Sequence, residues 1–310
     1  MTLNFILNIG LVVVSIVLLW KGSGWLVDSA SRIGRKFNMS DLTIGLTIVA
    51  FGTSAPEFAV TISAALTGKS NISVGNIVGS NIFNLGFILG GCALFRALKA
   101  TREVVYRDGS ILIGTSVLLL IFLHDRHFAR WEGIILFAGL FGYLILLFTR
   151  KRPLDSGVPT GVATWKDYPL LLLGIGCVVG GGHLLVHSAS EVARFLGVSE
   201  WVIAVTIVAA GTSAPEFATS LMAAAKKRYG MSLGNLIGSD LFNLLGVLGL
   251  AGTIRSMDVA AGAFSSVAML GGMCVIVVIF LRTGWTISRW EGATLVLIGI
   301  ARWILDFVGR

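Results

Sequence analysis

Gly52-Thr53-Ser54-Ala55-Pro56-Glu57-Phe58-Ala59 returns 159 positions later as Gly211-Thr212-Ser213-Ala214-Pro215-Glu216-Phe217-Ala218. Each copy lies inside an apolar run long enough to cross a bilayer. A charge at the centre of such a run costs roughly 2.5–3.5 kcal/mol or more. A carboxylate placed there twice, each time beside a helix-breaking proline, points to a buried cation site rather than to packing. The duplication extends beyond the octapeptide. Residues 40–90 and 199–249 share 26 identities in 51 positions. Asp28-Ser29-Ala30-Ser31 aligns with His187-Ser188-Ala189-Ser190, and Arg130-Trp131-Glu132-Gly133 with Arg289-Trp290-Glu291-Gly292.

The surrounding chain is 310 residues long, 55% hydrophobic and 13% charged, with a mean hydropathy of +0.88. That is the composition of a multi-pass membrane protein. The net charge of +8 does not indicate a nucleic-acid partner, because the basic residues fall in short loops between apolar segments. The first apolar run has no positive n-region and no small-residue cleavage site, so it reads as a retained helix. Cys92, Cys177 and Cys274 all lie in apolar runs and suggest neither a disulfide framework nor a zinc site.

Ten spans of about 20 residues are expected: 3–27, 41–66, 73–95, 109–123, 131–148, 167–188, 200–225, 232–252, 263–281 and 290–308. The fourth is short, and the second and seventh are interrupted. An even number puts both termini on one side. Of the 24 Lys and Arg, 16 fall in loops on the opposite side, 6 on the side of the termini and 2 within spans. The positive-inside rule places the 16 in the cytoplasm and both termini outside, in a cell (plasma or inner) membrane. Trp131, Trp165, Trp201 and Trp290 sit near span ends as interfacial anchors. The fold class expected is therefore an all-α membrane protein of ten transmembrane helices. It divides into a first five-helix repeat (1–148), a basic cytoplasmic linker (149–166) and a second five-helix repeat (167–310). Five is odd, so the second repeat enters the membrane inverted. Inverted repeats place a shared site near the midplane and favour alternating access.

The motif itself supplies oxygen. Pro56 and Pro215 lack an N–H, so the carbonyls of Gly52 and Gly211 lose their helical partners. Backbone oxygens freed at membrane depth need protein, water or an ion to satisfy them. Thr53, Ser54, Thr212 and Ser213 add hydroxyls, and Glu57 and Glu216 add charge. Mixed oxygen ligands suit hard cations such as Ca²⁺ or Na⁺, not zinc or copper. In the next span Asn76, Ser80 and Asn84 share one helix face at i, i+4, i+8 and repeat as Asn235, Ser239 and Asn243. Gly75 and Gly79, with Gly234 and Gly238, form small-xxx-small pairs that let helices approach closely. Asn76 and Asn235 read as hydrogen-bond glue between helices; Ser80, Asn84, Ser239 and Asn243 read as the other wall of the ion site. Asp240, whose repeat mate is Asn81, lies about 100° around the helix from Ser239, off the polar face. It reads either as tuning the field of the site or as pairing with a neighbouring helix or water. His183 and His187 stand at i, i+4 but lack an HExxH context, and read as residues at the outer interface. His124 and His127 read as solvated in an outer loop, and Arg302 and Asp306 as a structural i, i+4 pair.

These paired Gly-Thr-Ser-Ala-Pro-Glu motifs, with Gly79-Ser80-Asn81-Ile82-Phe83-Asn84 and Gly238-Ser239-Asp240-Leu241-Phe242-Asn243, resemble the alpha repeats of the sodium/calcium exchanger family. That family lies in the cation/Ca²⁺ antiporter superfamily, and the likeness is to its compact prokaryotic members. The resemblance covers nearly the whole chain. It implies ion sites between the second, third, seventh and eighth helices, with Glu57 and Glu216 as shared carboxylates. It implies further ligation by backbone oxygens of Ala50, Thr53, Ala209 and Thr212 and by the side chains of Thr53, Ser54, Thr212, Ser213, Ser80 and Ser239, with Asn84 at the centre. The first and sixth spans would slide across the other eight. The linker is too short for the Ca²⁺-sensing domains of animal exchangers. One departure is Asn243, which is Asp in some family members. With both central positions amides, two carboxylates balance one Ca²⁺, two Na⁺ or two protons.

The function expected is secondary active exchange of Ca²⁺ for Na⁺ by alternating access. The alternatives are Ca²⁺/H⁺ exchange on the same fold and, in a different class, a cation channel. No Ser–His pair, HExxH or cofactor fingerprint suggests an enzyme, so no cofactor is expected and the partners are inorganic cations and the bilayer. Each chain carries its own two-fold, which makes a monomer one reading of an oligomeric state left open.

Overall fold

The computed structural model describes residues 2–149, 161–203, 206–207 and 209–308. The middle of the expected linker, 150–160, lies outside them. The fold is mostly helical and of membrane type. Its first helix, α1 (Thr2–Lys36), precedes a broken run: α2 (Asp41–Ile44), a π-helical turn at Gly45–Val49, α3 (Ala50–Thr53) and α4 (Ala55–Leu66). Helix α5 (Ser70–Phe83) passes through a π-helical turn at Asn84–Ile88 into α6 (Leu89–Phe95). Strand β1 (Leu98–Lys99), a π-helical turn at Val104–Gly109, α7 (Ser110–Phe122), β2 (His127–Phe128) and α8 (Arg130–Thr149) complete the first half.

The second half runs in the same order. Helices α9 (Asp167–Phe195), α10 (Glu200–Ile203), α11 (Ala209–Thr212) and α12 (Ala214–Ala225) lead to α13 (Tyr229–Leu241). A π-helical turn at Phe242–Leu248 joins α13 to α14 (Gly249–Ile254). Then come β3 (Met257–Asp258), α15 (Ala261–Arg282), β4 (Thr286–Ile287) and α16 (Arg289–Val308).

Seven helical runs among the described residues are long and apolar enough to span a membrane, and the pair 41–53 and 55–66, bent by 51°, makes an eighth. Two of the ten expected spans fall outside that set. The span at 200–225 contains residues 204, 205 and 208, which are not among those described, and α16 carries Arg289, Glu291, Arg302 and Asp306. The fourth span is not short: it begins at Val104 rather than 109. Charges that read as loop in the sequence are satisfied internally, with Arg107 Nε 2.7 Å from Asp108 Oδ1 and the Tyr143 hydroxyl donating to the same oxygen at 3.2 Å. Helices α1 and α9 also run past their expected ends at 27 and 188, and Arg32 of α1 pairs with Asp167 of α9 at 2.6 Å.

The break in the second span sits where the sequence places it. Ser54 closes α3 with its amide on the Ala50 carbonyl at 3.0 Å, at φ −77° and ψ 8°, and Pro56 lies in the first turn of α4. A first-turn proline sacrifices an N–H that would have no helical partner anyway.

Burial separates the helices into two kinds. In the most apolar 18-residue stretches of Ser70–Phe95 and Tyr229–Ile254, 72% and 83% of the residues are buried, against only 17% and 22% in those of Asn4–Lys36 and Asp167–Phe195. The first pair forms the core, with Leu85, Leu89, Leu236 and Leu244 in one apolar cluster. The second pair, α1 and α9, packs mainly along each other. A Cβ on Gly174 would stand 2.7 Å from the Leu26 nitrogen, so this crossing is backbone against backbone.

Two short antiparallel ribbons tie the halves together. Leu98 and Lys99 pair with Ile287 and Thr286, and His127 and Phe128 pair with Asp258 and Met257. Shifting either ribbon by the repeat offset of 159 generates the other. His127 is not merely solvated: its Nδ1 lies 2.6 Å from Asp258 Oδ1, and that hydrogen bond pushes the imidazole pKa up from its ordinary value.

Two of the repeated glycines are packed tightly. A Cβ on Gly234 would stand 2.6 Å from the Leu42 carbonyl oxygen, and one on Gly238 2.8 Å from the Leu46 Cα. Their repeat mates Gly75 and Gly79 face no described atom within 4 Å; residues 204, 205 and 208, the repeat images of Gly45, Leu46 and Val49, are not among those described. Overpacking a tight contact costs about 1–3 kcal/mol. Gly234→Ala is therefore expected to lower the melting temperature in detergent, and an unchanged melting temperature would contradict the tight packing.

Candidate cation site

Glu57 and Glu216 occupy the first turns of α4 and α12, immediately after the two breaks, and are 1% and 0% exposed. The breaks cross-connect. Ser54 Oγ donates to Glu216 Oε1 at 3.4 Å, and Ser213 Oγ donates to Glu57 Oε1 at 3.4 Å. Each half thus holds the carboxylate of the other, and the two bonds are images under the 159-residue offset. Ser80 lies within hydrogen-bonding reach of Glu57, and Thr53 within reach of Glu216. Thr53 Oγ1 has two acceptors for its one proton, the Ala50 carbonyl at 3.3 Å and Asn235 Oδ1 at 3.2 Å, and lies 3.4 Å from Ser239 Oγ. The geometry therefore gathers Glu57, Glu216, Ser54, Ser213, Thr53, Ser80, Ser239 and the Ala50 carbonyl. Ala209 opens α11, and Thr212, at its end, is half-buried where Thr53 is fully buried.

The carboxylate and amide atoms left over are of one kind. Glu57 Oε2, Glu216 Oε2, Asn84 Oδ1, Asn243 Oδ1 and Asp240 Oδ2 are all buried without a hydrogen-bond partner. A buried unsatisfied polar group costs about 1–3 kcal/mol. These five are acceptors, so a desolvated cation or a donor is the chemistry that relieves them together. Among the described residues, none of the ion pairs reaches Glu57, Glu216 or Asp240. Among the same residues no three His, Cys, Asp or Glu converge as a metal group. A cation held here would depend on two carboxylates supplemented by hydroxyl, amide and backbone oxygens, the hard-ligand set.

Asn76 and Asn235 fasten neighbouring helices. Asn76 Nδ2 donates to Thr61 Oγ1 at 3.0 Å, and Asn235 Nδ2 to Ser220 Oγ at 2.8 Å and to the Glu216 carbonyl at 3.3 Å. Asn84 and Asn243 behave differently. Asn84 Nδ2 donates to Asp240 Oδ1 at 2.9 Å, Asn243 Nδ2 to Asn81 Oδ1 at 3.0 Å, and Asn81 Nδ2 to the Asp240 carbonyl at 3.0 Å. Asp240 therefore touches the central amide of the other half, although the helical wheel sets it off the polar face. Asn81 is the residue the sequence reading missed; its signal was being the repeat mate of an acid. His183 and His187 are exposed on α9. Arg302 donates to Ser266 Oγ at 3.0 Å, and the Asp306 side chain lies outside the described residues.

A family model described as "Sodium/calcium exchanger protein" matches residues 7–149 and 167–301. The "Putative antiporter CaxA" of Alkalimonas amylolytica is 36% identical over 311 residues, covering 96% of this chain and 97% of its own. The "Sodium/calcium exchanger MaX1" of Methanosarcina acetivorans is 32% identical over 356 residues, covering 99% of each. Among solved structures, the sodium-calcium exchanger NCX_Mj soaked with 100 mM Na⁺ and 10 mM Sr²⁺ superposes with a TM-score of 0.86 at 29% identity, covering 99% of both chains. The architecture, the paired motifs and these full-length likenesses agree, and the chain belongs to the sodium/calcium exchanger protein family.

Proposed function

We propose that this chain exchanges Ca²⁺ for Na⁺ across a cell membrane, binding both ions between Glu57 and Glu216. The observation that carries the reading is the crosswise grip of Ser54 on Glu216 and Ser213 on Glu57. It makes one site from two halves. The ligand set is Glu57, Glu216, Thr53, Thr212, Ser54, Ser213, Ser80, Ser239, Asn84 and Asn243, with backbone oxygens of Ala50 and Ala209. In this reading the helical runs form ten spans as two inverted repeats of five, 1–148 and 167–310, joined by 149–166, with both termini extracytoplasmic. The two ribbons related by the repeat offset support that symmetry, since each joins loops that the basic-residue count assigns to one side.

Exchange follows from charge. Two carboxylates cannot stay bare at membrane depth, so the protein changes sides when cations occupy them. The two ends of the bundle differ, which supports alternating access. On the side assigned to the cytoplasm, Gly234 and Gly238 are packed tight, and Arg228–Asp41 at 3.2 Å and Lys226–Asp28 at 2.6 Å lie at the same end. On the outer side, Gly75 and Gly79 border a cavity of about 610 Å³ that also reaches Asn71, Ser266 and Arg302 but none of the proposed ligands. The mutually packed, little-buried α1 and α9 are the natural sliding pair.

Amides at both 84 and 243 favour one second reading, Ca²⁺/H⁺ exchange, because two protons neutralise the glutamates as well as two Na⁺ do. Proteoliposomes loaded with Na⁺ should take up radiolabelled Ca²⁺ from Na⁺-free buffer, and a pH gradient alone should drive little. Glu57→Gln and Glu216→Gln should each lower that uptake about 100-fold or more, as expected for breaking a buried charge set. Uptake driven by pH alone would favour the proton reading. Ca²⁺ flux without a counter-ion would indicate a channel, and full activity in both mutants would move the site elsewhere.

A further inference from the structure

Asn84 and Asn243 can each present an oxygen or a nitrogen to the space between the glutamates. Which end faces inward is a question of hydrogen bonding, because the two ends of an amide have nearly the same shape. Only the oxygen end can ligate a cation. Two relays decide the matter, and both finish on residue 240.

The first relay is direct. Asn84 Nδ2 lies 2.9 Å from Asp240 Oδ1. Turning the amide over would set two acceptor oxygens against each other at that distance. The second relay has one intermediate. The Asp240 carbonyl accepts only, so it takes Asn81 Nδ2 at 3.0 Å. That leaves Asn81 Oδ1 to accept, and it takes Asn243 Nδ2 at 3.0 Å. Both central nitrogens are thereby occupied, and both central oxygens, Asn84 Oδ1 and Asn243 Oδ1, remain buried and unpartnered.

We propose that Asp240 is a positioning residue that turns the oxygen ends of Asn84 and Asn243 toward the transported cations, through its side chain to the first and through its carbonyl and Asn81 to the second. The proposal rests on the cation-site reading above. What position 240 must supply is an acceptor oxygen facing Asn84, which Asp240 gives and an asparagine there could give as well. Asp240 is 0% exposed and meets no cationic side chain among the described residues, which is a costly place for an acid that only packs.

The test is Na⁺-driven Ca²⁺ uptake in proteoliposomes, with KM and maximal rate measured separately. Asp240→Leu should raise the Ca²⁺ KM about tenfold while the maximal rate changes by about twofold or less, as loss of uniform binding does. Asp240→Asn, which can accept in the same place, should recover most of that affinity. Adding Asn84→Asp to Asp240→Leu should also restore it, because the two oxygens of a carboxylate are equivalent and need no orientation. A purely structural role predicts no such rescue. Failure of the double variant to recover, or Asp240→Asn as damaging as Asp240→Leu, overturns the proposal. Should Asp240→Leu fail to assemble, Asp240→Asn decides alone: a KM rise of about threefold or less supports orientation, and about tenfold rejects it. Glu57→Gln, run in parallel, separates the two claims, since activity surviving that change removes the cation site itself whatever Asp240 does.

Discussion

Two carboxylates brought together in a low-dielectric interior, with no basic side chain paired to them among the described residues, are the constraint from which the rest of this structure follows. Their mutual repulsion and lost hydration together amount to several kcal/mol even with generous screening. The protein meets that cost with oxygen donors rather than with lysine or arginine. Helix breaks at Ser54 and Ser213 bring each serine to the opposite glutamate, and the amides of Asn84 and Asn243 turn their nitrogens away. The resulting cluster is rich in acceptors and poor in donors, a set that suits a hard cation.

The packing serves that site. The two most buried spans, Ser70–Phe95 and Tyr229–Ile254, carry the serine and amide walls. The breaks sit against them, and glycines at the contacts let backbone approach backbone where α13 meets α2 and α3. The same glycines in the other half meet no described atom within 4 Å.

Much of this was legible in the sequence because the relevant signals are local. Pro56 beside Glu57, repeated at the offset of 159, locates the breaks without any tertiary information. The i, i+4, i+8 spacing of Asn76, Ser80 and Asn84 places them on one face. What was not legible depended on partners distant in the chain. Arg107 read as a loop charge, and Asp108 beside it fell outside the expected span, because the Tyr143 hydroxyl that bonds the buried Asp108 lies 35 residues further on. Asp240 was left between tuning the site and pairing with a neighbouring helix or water, because a helical wheel gives angles around its own helix and says nothing of which helix stands opposite. The close approach of Gly234 to the Leu42 carbonyl could not be read at all, since it too depends on a partner distant in the chain. The middle of the linker, 150–160, lies outside the described residues, so the expectation for it stands on sequence alone.

The most direct test of the meeting of Glu57 and Glu216 is a Ca²⁺-soaked crystal with anomalous difference density. A single strong peak is expected between the two carboxylates, at about 2.3–2.6 Å from an oxygen of each, as Ca²⁺ coordination requires. A peak that contacts one glutamate only, or none between them, would contradict the account.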